Sequence, residues 1–191
     1  MRCDVRAAPL LCTLDVDVRC DVGLEATHLL LNEAPFGPLR VHHLKVQCPP
    51  LAPAELAVAF LGLVVGIVVH DTLSSFRLHG APLDAHALLY ALAHVLLTRG
   101  VRSVELGGCH LSPESAPALA PLLGGTTTIT ELCIKNDGEQ LLDAPAAALL
   151  ADALRANTTL ETLILEGVGL WQVAAAATAL LGALVGHQSL R

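Results

Sequence analysis

An α/β solenoid, with a curved parallel sheet on the inside and helices on the outside, is the fold class this sequence predicts. Two observations carry it. From Leu73 onward an apolar pattern of the form L-x-x-L-x-L-x-x-(N/C)-x-L returns every 28 to 31 residues. An Ala/Leu-rich stretch of helical character fills each interval. Repetition at this period marks stacked supersecondary units, none of which can bury its apolar face alone. A single domain over residues 1–191 follows, because each unit supplies core to the next.

Repeats are expected to start near residues 11, 41, 73, 101, 129 and 160, giving about six units of 28–32 residues and the stub of a seventh at residue 190. The first start is carried by Leu11, Leu14 and Val16, and the second by Val41, Leu44, Val46, Pro49 and Leu51. Leu73, Phe76, Leu78, Ala81 and Leu83 make the third, and Val101, Val104, Leu106, Cys109 and Leu111 the fourth. In that copy the Cys109 side chain is placed to hydrogen-bond inside the turn that ends the strand. Ile129, Leu132 and Ile134 make the fifth, and Leu160, Leu163, Leu165, Val168 and Leu170 the sixth.

The intervals read as helices over Ala85–Thr98, Pro113–Leu123, Pro145–Ala156 and roughly Gln172–Val185. Each needs an acceptor for its first N–H groups, or a residue without one. Ser112-Pro113-Glu114 offers an N-cap, a proline at the first helical position and an acid at the positive end of the dipole. Asp84 and Asp143 serve the same purpose. The endings Arg99-Gly100, Gly124-Gly125 and Asn157-Thr158-Thr159 predict left-handed glycine or asparagine at the helix C-termini. Repeated alanines let the units stack closely.

The run from Ala146 through Leu154 to Asn157-Thr158-Thr159-Leu160 carries a finer likeness. A long repeat with a full outer helix and an A-x-A-L-A-x-x-L-x-x-N-T-T-L type of ending resembles the ribonuclease-inhibitor-like subfamily of leucine-rich-repeat proteins. The resemblance covers residues 73–191 well and 11–72 loosely. The repeat architecture, with no catalytic spacing in the sequence, points to a noncatalytic scaffold or assembly subunit that binds another protein through the concave strand face, the loop rim or the open end. Two alternatives share this repeat type, a GTPase activator similar to the Ran GTPase-activating protein and the sensor repeats of a NOD-like receptor. For the latter, no Walker motif occurs in these residues.

Composition narrows the classes further. Hydrophobic residues make up 53% of the chain while aromatic residues make up 3%, so much Ala and Leu surface must be buried within the fold or against a partner. A formal net charge of -7, with 11 scattered Lys and Arg, argues against nucleic acid, which needs clustered cations to neutralise phosphates. The uncharged run from Leu56 to Val69 spans 14 residues, short of the roughly 20 a membrane-crossing helix requires, and reads as a repeat helix beginning at Pro53. Asp4 and Arg6 interrupt the region where a signal peptide would have its apolar core. An intracellular, cytoplasmic protein is expected, with a nuclear or organellar complex as the alternative.

Six cysteines (Cys3, Cys12, Cys20, Cys48, Cys109 and Cys133) form no C-x-x-C pair and no His/Cys cluster at zinc spacing, so neither a metal nor another cofactor is expected. Reduced thiols fit an intracellular setting. Nine histidines fall in no H-E-x-x-H motif, and no phosphate loop or nucleophile elbow is present. No catalytic residue is assigned, and the chain is read as not an enzyme.

In a strand of the form L-x-x-L-x-L, alternation turns the third, fifth and seventh positions to the concave face. The candidate partner-binding residues there are Asp15, Asp17, His43, Lys45, Arg77, His79, Glu105, Glu131, Lys135 and Glu166. They run acidic, basic, then mostly acidic along the chain. A banded partner would suit such a surface; the competing reading is that neighbouring charges satisfy one another across strands, at roughly a few tenths of a kcal/mol per pair.

Two local departures complete the reading. Lys135-Asn136-Asp137-Gly138-Glu139-Gln140 breaks the fifth repeat with a polar insertion, placing Asp137 at the ninth, turn position and a loop on the rim before Leu141 and Leu142 restore the apolar position. Ser189-Leu190-Arg191 begins a repeat and stops, which favours docking of that end or a truncated chain over a free monomer.

Overall fold

Parallel strands cannot be joined by a tight turn, so a sequence that alternates five-residue apolar strands with helical intervals builds its sheet through crossovers. The computed structural model describes residues 12–17, 41–47, 64, 68, 73–81, 83, 86–124, 128–136 and 141–191. Among them, strands β1 (Cys12–Asp17), β2 (Val41–Gln47), β3 (Ser75–His79), β4 (Ser103–Gly107), β5 (Glu131–Lys135) and β6 (Thr162–Glu166) form one parallel sheet whose spatial order is the chain order. Helices α1 (His86–Thr98), α2 (Ala116–Leu123), α3 (Ala144–Ala156) and α4 (Ala174–Leu184) follow β3, β4, β5 and β6. The protein is thus α/β, with each described helix packed on the one before it.

Register follows the repeat. Leu44, Phe76, Val104, Leu132 and Leu163 align across β2 to β6, as do Val46, Leu78, Leu106, Ile134 and Leu165. Leu14 and Val16 of β1 stand opposite Leu44 and Val46. From β2 to β5 both rows are buried, whereas Leu163 and Leu165 are only half-buried. Behind them Leu73, Val101, Ile129 and Leu160 form a third buried row, met by Leu89, Leu92 and Leu96 of α1, Leu119 and Leu122 of α2, and Leu150 and Leu154 of α3. Each such side chain contributes about 1.5–3 kcal/mol on burial, too little per unit to offset the ordering of some 30 residues, so neighbouring units hold one another folded.

Hydrogen bonds tie the units together just before each strand. Arg102 N–H donates to the Ser74 carbonyl at 2.8 Å, Thr130 N–H to Arg102 at 2.8 Å, Glu161 N–H to Thr130 at 2.8 Å and Arg191 N–H to Glu161 at 3.0 Å. Hydroxyls repeat the same step, with Thr128 Oγ1 donating to the Val101 carbonyl, Thr159 Oγ1 to Ile129 and Ser189 Oγ to Leu160.

Helix starts agree with the expected ones to within two or three residues. Asp143 Oδ1 accepts from the Ala146 N–H at 2.7 Å and caps α3 as its side chain predicts. Pro113 opens a short 3₁₀ turn (Pro113–Ser115) rather than the α-helix itself, and Leu170–Gln172 forms a second such turn ahead of α4. At Ser112 the hydroxyl donates to the Glu114 carboxylate, while the Ser112 N–H donates to Ser115 Oγ. Asp84 lies outside the described residues, as do the segment 137–140 of the polar insertion and, apart from the helical Val64 and Val68, the run Leu56–Val69. No helix among the described residues is long and apolar enough to cross a membrane.

Two expectations about chain reversal need correction. Gly100 is left-handed (φ 69°), but Gly124 and Asn157 are extended. Asn157 ends its helix through the side chain instead: Nδ2 donates to the Leu123 carbonyl of the preceding unit at 2.6 Å, and Oδ1 accepts from the N–H groups of Thr159 and Leu160 at 2.8 and 2.7 Å. In the fifth unit Asp137, expected at the turn, lies outside the described residues; the buried residue that bonds across to the neighbouring unit is Asn136. Its Oδ1 accepts from Leu111 N–H at 2.9 Å and its Nδ2 donates to Leu111 C=O at 2.8 Å, because only an amide can serve both backbone groups. Cys109 fills its expected turn position, fully buried, with Sγ donating to the Gly107 carbonyl at 3.3 Å and to Leu78 at 3.6 Å.

Candidate functional site

Inward leucines dictate an outward column between them, and register stacks those columns into rows across the sheet. One row runs Asp15, Lys45, Arg77, Glu105, Cys133, Ile164; a second runs Asp17, Gln47, His79, Gly107, Lys135, Glu166; a third runs Thr13, His43, Ser75, Ser103, Glu131, Thr162. Arg77, Glu131, Thr162, Ile164 and Glu166 are exposed, so the described helices leave this side of the sheet open. Leu141 and Leu142 are buried, closing the core behind the polar insertion.

The structure draws four of the ten candidate residues together. Glu105, in the middle of β4, pairs through Oε2 with Arg77 Nε at 3.4 Å and through Oε1 with His79 Nε2 at 3.5 Å and Lys135 Nζ at 3.7 Å. Arg77 reaches it directly across from β3, whereas His79 and Lys135 converge from the second row on either side of Gly107. That glycine makes the convergence feasible: a Cβ at 107 would overlap the His79 imidazole. Charge bands that the linear order suggested therefore interlock, with Glu105 drawn into the basic group.

The remaining candidates stay apart from this cluster. Lys45 is half-buried beside Arg77 in the first row, and His43 is half-buried beside Ser75 in the third. Glu131 and Glu166 are exposed and make no ion pair among the described residues. Asp15 and Asp17 stand opposite Lys45 and Gln47 by backbone register; their side chains lie outside the described residues.

Cys133, adjacent to Glu105 in the first row, has its thiol pushed up from the ordinary value of 9.0, first by burial and next by the negative charge of Glu105. A nucleophilic cysteine needs the opposite shift. The cluster instead suits electrostatic recognition: fixed cations held in place by an acid beneath them. Gly107 and Cys133 were absent from the sequence-derived candidates. A glycine at the seventh position of one repeat, flanked in the neighbouring repeats by His79 and Lys135, is the signal that could have found the first. Among the described residues no three His, Cys, Asp or Glu side chains gather as a metal site.

The sixth unit carries the most exposed large apolar side chains among the described residues, Trp171 at 77% and Val185 at 90%. A scan against protein-family models and a search of the curated proteins both found nothing that matches this chain.

Proposed function

We propose that this chain is a leucine-rich-repeat solenoid of the ribonuclease-inhibitor-like type that works as a noncatalytic protein-interaction scaffold or assembly subunit, with the open face of the sheet as its contact surface. The observation that carries the reading is the cluster of Arg77, His79, Glu105 and Lys135 on a face where Arg77, Glu131, Ile164 and Glu166 are exposed. Such faces on repeat proteins are extended and rigid, and they serve as binding surfaces without any catalytic apparatus. The raised thiol of Cys133 favours recognition over nucleophilic chemistry. The Asn157-Thr158-Thr159-Leu160 turn, whose amide links two units, supports the repeat assignment. The thiol of Cys133, which forms no disulfide, fits a reducing compartment.

Affinity purification of the tagged chain, washed at low and at high salt and read by mass spectrometry, tests the reading. A partner retained by the native chain and lost from a Arg77→Ala, Glu105→Ala, Lys135→Ala triple variant is the expected result. If every recovered partner stays bound to that variant, the choice of face is wrong. Salt-labile retention assigns the contact to the charged rows. Acceleration of GTP hydrolysis by a small GTPase would replace the scaffold reading with the activator that this repeat type also implies.

A further inference from the structure

We infer that the open face takes an acidic segment of a partner polypeptide, seating a carboxylate on Arg77 and Lys135 and an apolar side chain on Cys133 and Ile164. The inference rests on the interaction reading above and names the chemistry of the partner. Its basis is the depth at which each charge lies. Glu105 is 18% exposed, beneath His79 at 33%, Lys135 at 41% and Arg77 at 55%. The acid is the floor of the cluster and the cations are its surface, so a group approaching the cluster from solvent meets cations first even though the chain as a whole is acidic. Arg77, with Lys45 beside it in the same row, is the cationic end of the face, while Lys135 has the exposed Glu166 opposite it on the next strand.

Those cations are also incompletely used. Arg77 engages Glu105 through Nε at 3.4 Å and Lys135 does so at 3.7 Å, both longer than the roughly 2.7–2.9 Å of a well-formed charge-assisted bond. A second carboxylate approaching from solvent meets the guanidinium fork of Arg77 and the ammonium of Lys135 with little to displace. Continuing along the first row, polarity changes: Cys133 is half-buried and Ile164 is 40% exposed. Strands lie about 4.8 Å apart, so Arg77 and Ile164 are separated by roughly 14 Å, which an extended peptide spans in about four residues. Glu131, two residues before Cys133 on β5, and Glu166, two residues after Ile164 on β6, border that apolar end; Glu166 also stands opposite Lys135, so an acid is favoured toward Arg77, which fixes the direction of the segment.

Panning a random dodecapeptide library displayed on phage against the full chain tests this, followed by fluorescence anisotropy of the enriched peptides as synthetic ligands. Enriched sequences are expected to carry Asp or Glu with an apolar residue three to five positions away. Their affinity should fall about tenfold in Arg77→Ala and in Lys135→Ala, and rise about threefold in Glu105→Gln, which removes the resident competitor. The gain in Glu105→Gln distinguishes recognition from damage, since a misfolded variant does not bind tighter; thermal melts of all three variants accompany the titrations. A library that yields no binder dependent on Arg77 and Lys135 overturns the proposal. Peptides that lack an acid but are lost on Ile164→Asp would sink the acidic segment while leaving the face reading standing. Binders indifferent to every one of these variants would sink both.

Discussion

The carboxamide of Asn157 satisfies the Leu123 carbonyl on one side and two N–H groups on the other while almost fully buried. Asn157→Ala orphans all three, and a loss of about 3 kcal/mol is expected in urea melts. In the next unit His187 occupies the same place. Its Nδ1 accepts from Leu190 N–H at 3.3 Å, which puts the ring proton on Nε2, a buried atom with no partner among the described residues. An amide there would reproduce both functions of Asn157, so His187→Asn should gain about 1 kcal/mol, measured by the same melts. Cys133 gives a pH test. Its raised thiol binds a proton that the unfolded chain releases near 9.0, so its contribution to stability is complete below that pH and declines as pH rises through the folded value. Iodoacetamide labelling of Cys133 at pH 9 should be slower in the native protein than in urea, and Glu105→Gln should accelerate it by removing a charge that opposes the thiolate.

Among the strands, burial sets what a truncation costs. Leu106 of β4 is fully buried with a strand on each side, and Leu165 holds the same position on β6, where the row is half-buried. Leu106→Ala should cost about 3 kcal/mol and Leu165→Ala about 1 kcal/mol, a difference that paired urea melts would resolve. The strands were legible because period-two alternation and the recurring leucines fix face and register together; Phe76, Val104 and Leu132 align where the spacing puts them. Turns were less so. Asn136 and Asp137 are neighbours of similar local preference, and only the tertiary demand of the Leu111 backbone for both a donor and an acceptor selects the amide. At the candidate site the rows could be read from spacing, but the sharing of Glu105 by three bases could not. It depends on diagonal reach across Gly107, which spacing along one strand does not encode.

For the whole molecule, strand order identical to chain order means that nearly all long-range structure is between adjacent units. Among the described strands β6 pairs with β5 alone, and its Leu163 and Leu165 are half-buried where the matching residues of β5 are buried. The ladder of backbone bonds from Ser74 through Arg102, Thr130 and Glu161 to Arg191 has a mechanical consequence. Tension applied across these rungs is carried by all of them in series, so the weakest yields first and the strands peel away one at a time. In optical tweezers the chain should lengthen in steps, each releasing one repeat of 28–31 residues, or on the order of 100 Å of contour. Under load the linked strands would give way one after another.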